Sequence, residues 1–161
     1  MNVMIGAAPE PEPQPGLADP PDSLDRFVVE DHVGFLLRRA HQRHVALFTA
    51  AMAHVELTPT QFTALLKTVQ LGRVTQNQLG RKAAMDPATI QGVVRRLIAR
   101  GLIGRGRDPM DRRTAVLEAT EAGIALISRV VACARNAHEA ALKPLSPEER
   151  VCILALLAKM G

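Results

Sequence analysis

The chain has 161 residues, 47% of them apolar and 22% charged, with a formal net charge of +4. That length and balance suit a soluble domain with a substantial core, and no apolar run approaches the roughly 18 residues that a membrane span needs. Cys133 and Cys152 are too few and too widely spaced for a disulfide framework or a zinc ribbon. No basic stretch followed by an apolar core marks a secretory leader, so the expected setting is a reducing cytoplasm with both cysteines as inert core residues. Four Phe without Tyr or Trp are a poor supply for single-strand base stacking.

The first segment, 1–28, reads as a flexible acidic tail. Its first 25 residues hold Glu10, Glu12, Asp19, Asp22 and Asp25, no Lys or Arg, and six of the eleven prolines; such a composition cannot bury enough apolar surface to order itself. Without those five acids the rest of the chain carries +9. A long helix is expected over 30–56, followed by helices over 59–71, 75–82, 86–100, 120–142 and 147–159. Thr58-Pro59-Thr60-Gln61, Thr75-Gln76-Asn77-Gln78 and Ser146-Pro147-Glu148-Glu149 are capping boxes, and Asp86-Pro87 and Thr120-Glu121 are further helix starts. Gly72, Gly101 and the neighbourhood of Pro144 mark the stops. Between the fourth and fifth helices, Asp108-Pro109-Met110-Asp111 is a turn between two short β-capable flanks, a two-stranded hairpin that must lie against helices to be stable.

A short helix, a turn of about three residues and a second helix have helix-turn-helix spacing, and the basic hairpin that follows makes it winged. Residues 81–113 carry nine Lys/Arg against three acids, and Arg pairs with phosphate in two-pronged fashion. In the second helix Ile90, Val93, Val94, Leu97 and Ile98 form one apolar stripe. The opposite face, with Pro87 and Ala88 at its start, carries Thr89, Gln91, Gly92, Arg95 and Arg96. It is small near its start and basic further along, which fits insertion into the major groove. Gln91 can pair with adenine and Thr89 can meet a thymine methyl, while Arg95 and Arg96 reach phosphates. Gly92 costs about 1 kcal/mol in mid-helix relative to Ala, which is explained by close approach of DNA or of a neighbouring helix. Thr75, Gln76 and Gln78 at the start of the first helix of the pair are further candidate DNA contacts. In the hairpin Arg105, Arg107, Arg112 and Arg113 suit the minor groove, with Asp108 and Asp111 orienting them or capping the turn.

From about His32 to Ala125 the chain resembles MarR-type transcriptional regulators. The resemblance rests on Leu57-Thr58-Pro59-Thr60-Gln61-Phe62, Gln78-Leu79-Gly80, Asp86-Pro87-Ala88-Thr89, Arg96-Leu97 and Arg100-Gly101-Leu102. It rests above all on the wing signature Asp108-Pro109-Met110-Asp111-Arg112-Arg113 and on Thr120-Glu121-Ala122-Gly123. Glu118-Ala119 departs from the apolar residue usual before that Thr. The resemblance implies a mainly α fold with a small β-hairpin wing, a winged helix-turn-helix with long dimerisation helices. Residues 29–57 and 120–161 would then be the dimerisation helices and 58–119 the DNA-binding region. It also implies a homodimer reading a pseudo-palindrome in double-stranded DNA, usually as a repressor released by a small molecule, with no enzymatic activity. The stretch Leu57–Arg96 looks closest to regulators of aromatic-acid breakdown, which sense the free acid or its coenzyme A thioester.

The pocket is expected to draw on the first helix: Arg38, Arg39, His41, Arg43, His44 and Phe48, with Phe62 from the second. A buried His with Phe nearby suits an aromatic carboxylate, and the arginines suit a carboxylate or phosphates. Equally, His44 fits a hydrogen-bonded core or dimer-interface residue, and the arginines fit a solvated face. A metal- or oxidant-responsive regulator of the same fold and an effector-independent architectural protein are the rival readings. Zinc needs three or four converging ligands, and His32 and His54 lie too far along one helix to join His41 and His44. No metal, cofactor or membrane partner is therefore expected. No nucleophile elbow, Gly-rich phosphate loop or histidine metal motif points to an enzyme.

Overall fold

A computed structural model of the chain describes residues 27–111 and 113–160. Most of the expected tail, and Arg112 of the wing, lie outside the described residues. The order is a short 3-10 turn (Val29–Asp31), α1 (Val33–Ala51), α2 (Pro59–Leu71), α3 (Gln76–Lys82), α4 (Pro87–Ala99), β1 (Ile103–Arg107), β2 (Ala115–Ala119), α5 (Glu121–Leu142) and α6 (Pro147–Met160). The described residues fall in two units divided within α1, between Arg38 and Arg39. In the first, Phe27 stacks on His32, with ring centroids 4.0 Å apart, and the Arg38 guanidinium lies 5.6 Å from the centre of the Phe35 ring.

In the second unit the caps set the helix starts as expected. The Thr58 and Thr75 hydroxyls accept from the Gln61 and Gln78 amides, and each Gln side chain accepts from its Thr amide. Asp86 accepts from the Thr89 amide at 2.9 Å, and Ser146 closes a box with Glu149. Each removes backbone donors that the first turn of a helix leaves unpaired.

The core joins α2, α3, α4, the base of the hairpin and α5. Leu65, Leu79, Ile90, Leu97, Ile103 and Val130 are among its largest fully buried side chains. α3 meets α4 at Gly80, where a Cβ would lie 3.2 Å from Ile90 Cγ2 and 3.3 Å from the Met85 carbonyl oxygen. β1 and β2 pair antiparallel from Ile103↔Ala119 to Arg107↔Ala115. A bridge between Val74 and Leu117 ties the hairpin to the segment joining α2 and α3. Glu118 forms an ion pair with Arg73 beside that bridge, so the residue that departs from the family pattern is held at the base of the wing.

Two expectations are corrected. The first helix does not run over 30–56: a 3-10 turn precedes α1, and α1 stops at Ala51. Beyond it Met52 is fully buried, Glu56 adopts φ 51°, and the Met52 carbonyl accepts from both the Val55 and Glu56 amides. The corner is tied to a residue far along the chain. Arg100 Nη1 donates to the Glu56 carbonyl at 2.9 Å and Nη2 to the Val55 carbonyl at 2.8 Å, holding the chain in a corner rather than a further helical turn. Cys152, expected in a core, is exposed, because α6 buries none of its residues within the chain. Cys133 is half-buried against the core cluster.

Candidate nucleic-acid interface and adjoining histidine cluster

α4 buries Ile90, Val93, Val94 and Leu97 and turns its other side outward. Pro87, Ala88, Thr89, Gln91, Arg95 and Arg96 are exposed, and Gly92 lies half-exposed among them. A Cβ at Gly92 would meet only Arg96 Nη1, at 3.9 Å. Helix packing therefore does not require this glycine, and the small-residue face is open. Gly92→Ala is expected to raise stability by about 0.5–1 kcal/mol through helix propensity, measured by thermal melting, while lowering affinity for duplex DNA.

The Thr89 hydroxyl donates to Asp86 Oδ2, leaving its methyl group as the apolar contact. The same bond, with the Thr89 amide, holds the Asp86 carboxyl below the usual carboxylate range. Its charge is thus directed onto the start of α4. On α3, Thr75 and Gln78 bond to each other in their capping box. These bonds engage the Thr75 hydroxyl and Gln78 Oε1, whereas Gln76 is half-buried at the helix start. Asn77 and Arg81 of α3 line one groove with Pro87 of α4. Neither was singled out from the sequence. The signal was their i, i+4 spacing, which places them on one helix face.

In the hairpin, Ile103 is buried while Arg105 and Arg107, two and four residues on, are exposed. The ribbon thus leaves the core as it approaches its tip. Arg105, Arg107 and Arg113 line one groove. The two wing acids cap the turn. Asp108 Oδ1 accepts from the Met110 and Asp111 amides, and Asp111 accepts from the Arg113 amide and the Thr114 hydroxyl. The Thr114 hydroxyl, then the Arg113 amide, hold the Asp111 carboxyl below its ordinary range.

A separate cluster joins α1, α2 and α5. His44 is half-buried with its ring 6.1 Å from that of Phe48, and Phe48 meets Phe62 edge-on at 5.4 Å. Burial lowers the His44 pKa below 6.5, and the charges of His41 and His138 lower it further. His138 was missed in the sequence because nothing local links α5 to α1. Ala137, its neighbour, packs in the same core cluster as Phe48. Arg38, Arg39, His41 and Arg43 are exposed. Among the described residues no group of three or more His, Cys, Asp or Glu is placed to hold a metal ion. No helix among them is long and apolar enough to cross a membrane.

The depressed His44 pKa has a sign. The folded chain holds this imidazole neutral where the unfolded chain protonates it. Its contribution is therefore intact above pH 6.5 and declines as pH falls from there through the lower folded pKa. Melting temperature is expected to drop on acidification across that window, and His44→Gln is expected to remove that part of the slope.

Residues 57–115 match the MarR family. NicR of Pseudomonas putida, an HTH-type transcriptional repressor, is 43% identical over 134 residues, which cover 83% of this chain and 85% of NicR. A probable transcriptional regulator of Pseudomonas aeruginosa is 45% identical with TM-score 0.80, covering 83% of this chain and all of that one. BpsR of Bordetella bronchiseptica, whose DNA binding is regulated by 6-hydroxynicotinic acid, is 38% identical with TM-score 0.79, covering 83% of this chain and 96% of BpsR. The chain belongs to the MarR family of winged helix-turn-helix transcriptional regulators, which are not enzymes.

Proposed function

We propose that the chain is a homodimeric repressor that binds a pseudo-palindromic operator and is released from it by a small aromatic acid. The observation that carries the DNA reading is the outward face of α4, small at Ala88 and Gly92, polar at Thr89 and Gln91, and basic at Arg95 and Arg96. Such a helix enters the major groove with its first turns on base edges. The arginines of the wing, Arg105, Arg107, Arg112 and Arg113, then reach the minor groove or its phosphates. Gln76 and the pair Asn77 and Arg81 lie where backbone contacts are made by the first helix of the motif.

Residues 29–57 and 120–161 are proposed as dimerisation segments. α6 is rich in apolar residues yet buries none: Val151 is 71%, Leu156 53% and Met160 61% exposed. An apolar surface of this kind on a soluble chain needs a partner, and a second copy is the partner this reading assigns.

For the effector, the His44, Phe48 and Phe62 group offers an aromatic wall beside an imidazole. Arg39 and Arg43 on the same helix supply guanidinium groups, and His41 a second imidazole. The likeness to BpsR favours a free hydroxylated aromatic acid over a coenzyme A thioester. The test is a thermal shift with 6-hydroxynicotinic acid, other small aromatic acids and their coenzyme A thioesters. At about a hundred times its dissociation constant, a ligand stabilises the fold by roughly 2.7 kcal/mol. That corresponds to a rise of about 5–10 °C for a chain of this size. A rise with the free acid, coupled to release of duplex DNA, is expected. A rise only with thioesters, or none with either, overturns the effector assignment.

A further inference from the structure

We infer that Arg100 is a positioning residue that couples the effector-sensing end of α1 to the recognition helix. The inference rests on the effector reading above. Arg100 is the residue at the C-terminal cap of α4, the helix assigned to the major groove. Its guanidinium donates to two consecutive carbonyls, those of Glu56 and Val55, at 2.9 and 2.8 Å. They stand 44 and 45 residues away in the sequence. Those carbonyls belong to the corner between α1 and α2, and Glu56 holds the left-handed φ that non-glycine residues seldom adopt. Such a conformation persists only where the surroundings impose it.

Apolar contacts already anchor both sides. Met52 and Leu57 fix the corner in the core, and Leu97 and Leu102 fix the end of α4. Apolar burial is non-directional, so it holds the two elements together without setting the angle between them. A two-pronged guanidinium grip sets that angle, which a single ammonium donor cannot do. The corner is also where the candidate ligand residues converge. Phe48 lies one turn before it on α1, Phe62 lies in the first turns of α2, and the two rings touch. A ligand that displaces either ring moves the corner, and Arg100 passes that motion to α4.

The test measures coupling, which a merely structural residue does not carry selectively. Full-length wild type, Arg100→Lys and Arg100→Gln are compared on a duplex enriched from a random pool by the wild-type protein. Each is titrated with and without 6-hydroxynicotinic acid, and acid binding to the protein alone is followed by calorimetry. Wild type is expected to lose at least about tenfold in DNA affinity when the acid is present. Both variants are expected to keep acid binding and DNA binding each within about tenfold of wild type, with the acid changing DNA affinity less than about threefold. Variants that keep the wild-type ratio overturn the inference. So do variants that lose acid binding, DNA binding and melting temperature together, since Arg100 is then only structural. A wild-type chain that ignores the acid overturns the effector reading and the inference with it, and that failure is distinct because it shows in wild type alone.

Discussion

Gly123→Ala is expected to lower the melting temperature more than the same change at Gly80, Gly92 or Gly104. Gly123 is buried in the first turn of α5, and a Cβ built on it would stand 2.2 Å from the Leu102 carbonyl oxygen and 3.1 Å from its carbon. The neighbour is backbone, so no rotamer change relieves the overlap. Nor is the backbone free to retreat. That Leu102 carbonyl accepts from the Thr120 amide, while the Thr120 hydroxyl donates to the Gly101 carbonyl at 2.7 Å and accepts from the Gly123 amide at 3.1 Å. The methyl must therefore push the start of β1 away from α5 or break this knot of bonds. Overpacking of this kind costs about 3 kcal/mol, the upper end of the usual range, or about 6–12 °C for a chain of this size. Two glycines calibrate the result. Gly80→Ala meets Ile90 Cγ2 at 3.2 Å and Met85 O at 3.3 Å and is expected to lose less. Gly104→Ala meets nothing within 4 Å and is expected to change little by crowding. A Gly123→Ala chain that melts with wild type would show that β1 and α5 can slide apart freely.

The same knot shows what the sequence could and could not disclose. Thr120 and Gly123 were readable as a helix start within a family motif, because a cap is a local event: a hydroxyl, an amide three residues on, and no side chain in the way. The capping boxes at Thr58 and Thr75, the Asp86 cap and the hairpin turn were legible for the same reason. So was the outward face of α4, since apolar spacing in one helix tells which side is buried. The end of α1 was not legible. Nothing between Ala51 and Leu57 breaks a helix by composition, and the group that holds the corner, Arg100, stands at the far end of α4. The approach of His138 to His44 depends likewise on two helices distant in sequence. Cys152 shows a different limit. Periodicity reports that α6 is apolar, not what covers it, and among the described residues nothing buries it.

Truncating two wing arginines, Arg105→Ala with Arg113→Ala, is expected to weaken binding to duplex DNA by about a hundredfold per half-site at low salt while leaving the fold intact. Both side chains are exposed, and among the described residues neither forms an ion pair with an acid. Their loss breaks no internal contact that holds the hairpin. The turn survives because Asp111 binds the Arg113 amide and the Thr114 hydroxyl rather than a guanidinium. The hairpin base survives because Ile103, Val116 and Leu117 remain in the core. Hydrogen bonds from charged groups are worth about 1.5–3 kcal/mol each, so the two lost at each wing reach the hundredfold scale per half-site at roughly 1.4 kcal/mol per factor of ten. The salt dependence separates this from a general loss of fold. Each phosphate neutralised contributes about 0.9 to the slope of log affinity against log salt, so with two arginines lost from each of the proposed dimer's two wings the double variant is expected to lose about 3.6 units of slope. Wild type and variant should then converge as salt rises. Gln91→Ala gives the opposite signature: an unchanged slope, with preference relaxed at one base position and a cost of about 1–3 kcal/mol there. If the arginine variant keeps both its affinity and its slope, the wing does not touch DNA, and the basic groove of Arg105, Arg107 and Arg113 serves some other anion.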